Sequence, residues 1–317
     1  MSRVLVVGDV MVDEFIHGEI TRMSPEAPVP IFVEKMRVTS PGGAGNVARG
    51  IHALGRSYAV VGLVGDDQDG AYLKQMIGGV VNDETYHRRT TKKTRYIVDG
   101  HHVLRVDVED PSDISQFAEK MLWDMISSHL QFDGHLRVDV VVLSDYAKGV
   151  LTSSLCQSVI QTANVRNRRV IVDPKRVDWS RYRGAWLITP NEKEMNEALV
   201  HDGQGCTVRK MMDRYYVKNC LVTMGDRGME LYAEDGSVSK IHATMHQVTD
   251  VTGAGDTVVA VVAALVSSGT PLERAVRVAN AAAGLAVRQR GTYAVTKTEL
   301  LRLQNELGYD SETVTIV

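Results

Sequence analysis

Cysteine is scarce in this sequence, and it does not occur in the spacing of a metal site. Cys156, Cys206 and Cys220 are odd in number and include no C-x-x-C pair. His101 and His102 stand side by side without H-x-x-x-H spacing or nearby cysteines. We therefore expect buried thiols rather than disulfides or zinc ligands, and surface histidines rather than metal ligands.

Long hydrophobic runs and a marked excess of charge are also absent. No apolar run reaches the roughly 20 residues that span a bilayer, and residues 1–8 are too short for a signal peptide and are typical of a strand. The net charge of −3 provides no basic footprint for nucleic acid or for an acidic membrane surface. We expect a cytoplasmic protein that binds neither nucleic acid nor membrane.

Two common phosphate-binding motifs are missing as well. The sequence contains no G-x-x-x-x-G-K-[ST] run, which excludes a P-loop kinase. No G-x-G-x-x-G follows the first predicted strand, which argues against a Rossmann dehydrogenase.

What the sequence does contain is a regular alternation of strand and helix patterns along its 317 residues. Strands are predicted at 3–8, 58–64, 138–144, 169–172 and 185–188, and helices at 46–54, 68–77, 114–130, 153–163, 192–199, 256–267 and 272–288. Such alternation predicts an α/β fold with a mostly parallel sheet and helices on both faces. No repeat or flexible linker interrupts it, so a single domain over 1–317 is expected.

Two stretches depart from this alternation. Residues 14–38 carry Pro25, Pro28 and Pro30, which forbid a helix and allow extended structure. Residues 94–98 and 103–108 are strand-like on either side of an Asp-Gly pair, which favours a hairpin turn. These stretches could together form a small second sheet.

A glycine-rich turn before a long apolar helix is the most informative local pattern. Gly253-Ala254-Gly255 precede Asp256, and such a turn points free amide groups toward an anion such as a phosphoryl group. A carboxylate at that position could accept a proton from an attacking hydroxyl. From these four residues alone, a simple aspartate cap of a helix is an equally good interpretation.

Two motifs about 200 residues apart decide between the interpretations. The D-x-x-G-A-G-D run at 250–256 and the P-G-G-A-G-N-V-A run at 41–48 resemble the two signatures of the ribokinase-like (PfkB) sugar kinases. The resemblance implies a ribokinase-like three-layer αβα sandwich with a mostly parallel central sheet and a small β-lid, built from about 14–38 and 90–109. It implies ATP as phosphoryl donor and Mg²⁺ as cofactor.

The same resemblance implies roles for residues at the sugar end of the site. Asp256 would be the catalytic base, and the amides of Gly253, Ala254 and Gly255 would form the anion hole. The residues implied to hold the sugar are Asp13, Gly42, Gly43 and Asn46. A carboxylate that accepts from two hydroxyls and an amide that both donates and accepts suit a sugar.

At the nucleotide end, the implied ATP-binding residues are Asn191, Thr223, Gly225, Gly228 and Asn280. Glu194 would organise the waters of Mg²⁺, and Asp250 and Thr252 stand where some members bind a monovalent cation such as K⁺. Ordinary structural roles remain open here. An N-x-x-E run is also a capping box, and two glycines after a strand also make a hairpin turn.

Several further runs resemble the heptose 7-phosphate kinases within this family, among them 7–13, 24–30, 143–149 and 173–175. A 7-phosphate needs cations, for which Arg105 and Lys175 are predicted, with Arg22 as a weaker candidate. Other acceptors remain open, namely ribose, a fructose phosphate or a nucleoside, as does a catalytically silent sugar-binding relative. The chain has no H-x-G-H run, so we expect a kinase without a fused nucleotidyltransferase. The resemblance also implies a homodimer formed through the lid.

Overall fold

The computed structural model describes residues 3–82, 88–131, 137–243, 249–289 and 291–308. In chain order its strands are β1 (Arg3–Gly8), β2 (Val10–Met23), β3 (Pro30–Gly43), β4 (Ser57–Val64), β5 (Val80–Asn82), β6 (Lys92–Val98), β7 (His101–Val108), β8 (Val138–Ser144), β9 (Arg169–Asp173), β10 (Leu187–Ile188), β11 (Asn219–Thr223), β12 (Met229–Tyr232) and β13 (Val238–Ile241). Its α-helices are α1 (Ala44–Ala53), α2 (Gln68–Ile77), α3 (Gln116–Gln131), α4 (Ser153–Val165), α5 (Glu192–Asp202), α6 (Val208–Tyr215), α7 (Ala254–Val266), α8 (Leu272–Ala286) and α9 (Lys297–Glu306).

The main sheet of the described residues has the order β13-β12-β11-β10-β9-β8-β1-β4-β5. Every neighbouring pair from β11 to β5 is parallel. At the other edge the pairs β11–β12 and β12–β13 are antiparallel. Continuous apolar runs such as Val4–Val7 form its central strands because both faces of the sheet are covered, so that no polar alternation is needed.

Helices cover the sheet on both faces, each with its own apolar cluster. On one face α1, α7 and α8 pack with their alanine and valine side chains against the sheet. On the other face α3 and α4 bury Leu122, Ile126 and Val159. The predicted three-layer αβα sandwich is therefore confirmed. Within the described residues, no helix combines the length and apolar character needed to cross a membrane.

A second, four-stranded sheet with the order β3-β2-β6-β7 forms the predicted lid. Its strands are longer than the predicted ranges, because β2 begins at Val10 and pairs with β3 as far as Gly43. Asp13, implied by the family resemblance to hold the sugar, therefore lies within a lid strand. The hairpin between β6 and β7 turns at Asp99 and Gly100, whose φ values of 51° and 84° confirm the predicted Asp-Gly turn.

The cysteines are free thiols, as predicted. Cys156 and Cys220 are buried in the core, and burial raises the pKa of both thiols beyond the physiological range. Cys206 is only partly buried, because it follows the end of α5 and its Sγ contacts the Asp202 carboxylate.

Candidate active site

Asp256 lies in the first turn of α7, where two donors from distant parts of the chain hold its carboxylate. Asn46 Nδ2 in α1 donates to Oδ2 at 2.7 Å, and Tyr146 Oη, in the loop after β8, donates to Oδ1 at 2.6 Å. The side chain is buried. Each oxygen thus has one donor and retains a lone pair for another.

Burial raises the pKa of Asp256 to about 6, because a carboxylate loses hydration when it is enclosed. The two hydrogen bonds from Asn46 and Tyr146 oppose this rise, while the nearby Asp13 carboxylate adds to it. A carboxyl group with this pKa is ionised at neutral pH and close enough to titration to accept a proton readily.

The turn before α7 differs in one detail from the predicted anion hole. Gly253 adopts a left-handed conformation (φ 79°) as the N-cap, and the amide of Ala254 donates to the carbonyl of Val251 at 3.2 Å. The Ala254 amide is therefore engaged, because the glycine turn closes on itself. Helix geometry leaves the amides of Gly255 and Asp256 without an intrahelical acceptor, so these two are the better anion donors.

The predicted sugar residues gather around this carboxylate. Gly42 packs directly against the carboxylate of Asp13, and Gly43 (φ 57°) packs against the backbone of Asp9, so neither position has room for a β-carbon. Asp13 is buried and forms an ion pair with Arg95 Nη1 at 2.6 Å. The structure thus brings Asp13, Gly42 and Gly43 together beside Asn46.

The inner face of the lid adds cations to this end of the site. Register pairs Asp13 with Lys93 and Lys93 with Asp107, and it places Arg95 opposite Arg105. Directly opposite residues share a face of a sheet, so these five side chains lie on one surface. Lys93 and Arg95 could not be predicted as site residues from the sequence, because strand periodicity alone does not tell which face of a strand meets the site.

The ammonium group of Lys93 differs from its neighbours. Its flanking carboxylates are engaged by arginines, Asp13 by Arg95 and Asp107 by Arg105 at 3.0 Å. Among the described residues Lys93 forms no ion pair, and its Nζ lies 5.2 Å from the ring centroid of Tyr146. Burial lowers the pKa of Lys93.

The cations predicted for the substrate phosphate occupy three separate places. Arg105 is on the inner lid face but largely exposed. Lys175 forms an ion pair with Glu194 at 2.7 Å on the nucleotide side. Arg22 is exposed near the far end of β2, roughly 30 Å along the strand from Asp13 at 3.3 Å per residue.

The loop after β8 is built around the carboxylate of Asp9, for which no role was predicted. Asp9, buried between β1 and β2, accepts from the amides of Tyr146, Lys148 and Val150 at 2.8, 3.0 and 3.1 Å. Burial, with repulsion from Asp145, raises the pKa of Asp9 to about 6. This loop carries Tyr146 to Asp256, and the S-D-Y-A-K-G run was its only sequence signal.

Four of the five predicted nucleotide residues line one cleft between β11, β12 and α8, and Asn191 lies outside it. The cleft encloses about 740 Å³, open solvent included, and is mostly apolar. Its lining includes Thr223, Gly225, Gly228 and Asn280, with Ala283 and Gly284 from the small-residue face of α8. Asn280 Nδ2 donates to the carbonyl of His242 at 2.8 Å, which fixes the amide at the cleft wall.

A second cleft connects this region to Asp256. Its lining includes Asp173, Lys175, Asn191, Glu194 and Gly255. Asn191 and Glu194 form a full capping box on α5, so the structural role left open for this motif is present. Glu194 also accepts from Lys175, so its two oxygens serve both the helix and the cleft.

The donor set of the second cleft fits Mg²⁺ held through water. Burial raises the pKa of Asp173 well above its ordinary value, and repulsion from Asp256 and Glu194 adds to the rise. Such a concentration of negative charge favours a divalent cation. Within the described residues no group of three His, Cys, Asp or Glu side chains could hold a metal directly. Glu194 and Asp173, both in the lining of this cleft, are the residues that would bind the waters of the ion.

The proposed monovalent-cation loop is tightly hydrogen-bonded. Asp250 accepts from the amide of Thr252 through Oδ1 and from the amide of Gly291 through Oδ2, both at 2.9 Å. These bonds leave the carboxylate oriented within the loop before α7. The ligands of K⁺ would be mainly backbone carbonyl oxygens, and these hydrogen bonds do not test them. The role of Asp250 and Thr252 toward K⁺ therefore stays a prediction.

Comparison of the sequence with known proteins shows which family the chain belongs to. The chain matches the model of the pfkB family carbohydrate kinases over residues 1–299. It is 44% identical over 313 residues to the bifunctional protein HldE of Nitrobacter winogradskyi, which covers 94% of this chain and 63% of that protein. The bifunctional protein HldE of Caulobacter sp. is 44% identical over 317 residues, covering 95% and 62%. The chain thus spans less than two thirds of these curated relatives.

Solved structures agree on the fold. Phosphofructokinase-2 from Escherichia coli in complex with potassium has a TM-score of 0.76 at 19% identity, covering 97% of this chain and 100% of that one. Arabidopsis thaliana ribokinase complexed with ribose and ATP has a TM-score of 0.67 at 21% identity, covering 95% and 97%. With the family match over most of its length, the chain belongs to the PfkB family of carbohydrate kinases and is an ATP-dependent sugar kinase.

Proposed function

We propose that this kinase phosphorylates the anomeric hydroxyl of D-glycero-β-D-manno-heptose 7-phosphate to give the 1,7-bisphosphate, a step toward ADP-heptose for the lipopolysaccharide core. The observation that carries the proposal is the position of Lys93, a half-buried ammonium group with no ion pair among the described residues, beside the carboxylates Asp13 and Asp256. An acceptor with both hydroxyls and a phosphate matches this set. The HldE relatives support the choice of a heptose.

In the proposed reaction, Asp256 takes the proton of the anomeric hydroxyl as its oxygen attacks the γ-phosphorus of ATP. The bond between that phosphorus and the β–γ bridging oxygen breaks, and ADP leaves with the electron pair. The amides of Gly255 and Asp256 stabilise charge on the transferring phosphoryl group. Asp13 and Asn46 orient the sugar, and the lid excludes water. Glu194 and Asp173 would hold Mg²⁺ through water, and the ion would supply the positive charge that neutralises the phosphates.

The test is ³¹P NMR of the purified protein with ATP, Mg²⁺ and the heptose 7-phosphate. Ribose, fructose 6-phosphate and a nucleoside are assayed alongside, and Asp256→Asn serves as the blank. A new anomeric phosphate signal with the heptose, absent from the blank, is the expected result. A signal with another acceptor alone would overturn the proposed substrate while leaving the kinase. ATP binding without transfer to any acceptor would favour a silent sugar-binding relative.

Replacing Lys93 by alanine is expected to raise the KM for the sugar phosphate about 10- to 30-fold, the equivalent of one charge-assisted interaction. The KM for ATP should stay unchanged, because Lys93 belongs to the lid face and not to either nucleotide cleft. Steady-state kinetics with each substrate varied in turn measures both. Lys35→Ala is the matched control, since Lys35 is an exposed lid lysine paired with Glu19. Equal sugar KM values in the two variants would remove Lys93 from the phosphate site.

Activity should also fall in acid as Asp256 becomes protonated. Only the ionised carboxylate accepts a proton, and its pKa is raised to about 6. We therefore expect kcat/KM for the sugar to be level near pH 8 and to fall about tenfold per unit below roughly pH 6. The sugar phosphate itself ionises near pH 6. Its pKa is therefore measured separately from its ³¹P shift, and kcat/KM is corrected for the fraction of substrate in each ionisation state. A level profile down to about pH 4.5 would contradict a base of this pKa.

We further propose a homodimer that forms through the lid, as the family resemblance implies. The lid exposes apolar side chains on β2, on β3 and in the turn between them, namely Ile20, Met23, Val29 and Met36. Light scattering after gel filtration would give the mass, and a monomer that remains fully active would contradict the proposal.

We also propose a cytoplasmic location, where ATP is available.

A further inference from the structure

We propose that Tyr146 is a positioning residue for the catalytic base, whose hydroxyl fixes the Asp256 carboxylate and keeps it ionised at working pH. The inference deepens the proposed function and rests on Asp256 acting as the base. It follows from the contacts of one phenol, from the loop that carries it and from the lid residue that covers its ring.

The contact between the two side chains is short and specific. Tyr146 Oη donates to Asp256 Oδ1 at 2.6 Å, while Asn46 takes Oδ2. A carboxylate held at both oxygens cannot rotate about its Cβ–Cγ bond without breaking a bond. The second lone pair of each oxygen therefore keeps a set direction, which a sugar hydroxyl can meet.

The loop that presents Tyr146 is rigidly built. The amide of Tyr146 donates to Asp9, and the amide of the next residue, Ala147, donates to Asp145 Oδ1 at 2.7 Å. Ala147 itself adopts a left-handed conformation with φ 55°. Non-glycine residues seldom adopt this conformation unless their surroundings hold them in it. The position of the Tyr146 phenol is thus held by a hydrogen bond to the buried Asp9 carboxylate and by a strained backbone at Ala147.

The phenol is a donor at every relevant pH. Burial raises the pKa of Tyr146 well above 10, and the negative charge of Asp256 raises it further. The hydroxyl keeps its proton, and by donating a hydrogen bond to Asp256 it favours the ionised form of that carboxylate. Lys93 of the lid covers the Tyr146 ring. The residue proposed to bind the sugar phosphate therefore contacts the residue that holds Asp256.

Replacing Tyr146 by phenylalanine removes the hydroxyl and keeps the ring beneath Lys93. A donor to a carboxylate favours its charged form, so its loss should raise the pKa of Asp256 by about one unit. The acid limb of kcat/KM should move to higher pH by the same amount. On the alkaline plateau kcat should be about tenfold lower, because the carboxylate is less well aimed, while the KM for the sugar changes little.

A direct titration separates this inference from the choice of substrate. Protein labelled with ¹³Cγ-aspartate is titrated without substrate, and the Asp256 signal is assigned by its absence in Asp256→Asn. Tyr146→Phe should raise the pKa of that signal. If it does so while no acceptor is phosphorylated, the proposed substrate fails and the positioning role stands. If transfer to a sugar is seen but the pKa and the acid limb do not move, the positioning role is overturned.

Two further variants guard against a merely structural effect. Tyr182→Phe is the matched control, because the Tyr182 hydroxyl donates to Asp145 in the same buried network and not to Asp256. It should leave the Asp256 titration in place, and an equal shift in both variants would overturn the inference. If Tyr146→Phe does not fold, global 3-fluorotyrosine labelling gives a stronger phenol donor and should lower the pKa of Asp256. An unchanged or raised pKa in the labelled protein would count against the role.

Discussion

Replacing Asp256 by asparagine is expected to lower kcat by roughly 10²–10⁴, the span of a lost general base. The asparagine side chain has nearly the same shape and still accepts from Tyr146, but it cannot take a proton from the sugar hydroxyl. Turnover is measured by coupled ADP release with saturating sugar and ATP. Binding of ATP, measured by calorimetry, should change little, because the cleft predicted to hold the nucleotide lies between β11, β12 and α8.

The comparison for this variant is Asp235→Asn. Asp235 lies in the exposed turn between β12 and β13 and accepts only from Ser237 among the described residues. The same chemical change there should leave kcat within about twofold, since surface substitutions rarely matter. Near-normal turnover in Asp256→Asn would refute Asp256 as base, whereas equal losses in both variants would point to damage common to the preparations.

The fold and the two signature turns could be predicted from the sequence because their signals are local. The continuous apolar run Val140–Leu143 forms most of a buried strand, and the turn at 253–256 combines glycines with a following helix. The lid ranges were too short because pairing between β2 and β3 continues through Pro41-Gly42-Gly43, a run that by itself is typical of a loop. Strand pairing overrode that local tendency.

The surroundings of the base could not be predicted, because they depend on packing between distant segments. Asn46, Tyr146 and Asp256 meet only where α1, the loop after β8 and the start of α7 come together. Lys93 joins them from the lid, and no spacing in the chain relates it to the other three. Similarly, only backbone geometry reveals that the Ala254 amide is used within the turn.

Replacing Gly253 by alanine should combine a stability loss with a large loss of turnover. A left-handed residue with a β-carbon costs roughly 1–2 kcal/mol, and the φ of Gly253 is 79°. That corresponds to a fall in Tm of roughly 2–5 °C for a domain of this size. The new β-carbon would also lie 2.8 Å from Asn46 Nδ2, so the Asn46 amide that donates to Asp256 must shift. With the anion turn displaced too, kcat should fall on the order of 10².

Gly269→Ala separates the two effects. Gly269 also has a left-handed φ of 85°, but no atom lies within 4 Å of the position of its β-carbon. Both variants should therefore lose similar Tm through backbone strain, and only Gly253→Ala should lose turnover through the contact with Asn46. If Gly269→Ala lost as much activity, strain alone would account for the result. If Gly253→Ala kept its activity despite the lower Tm, the anion turn and the Asn46 contact would not determine the rate.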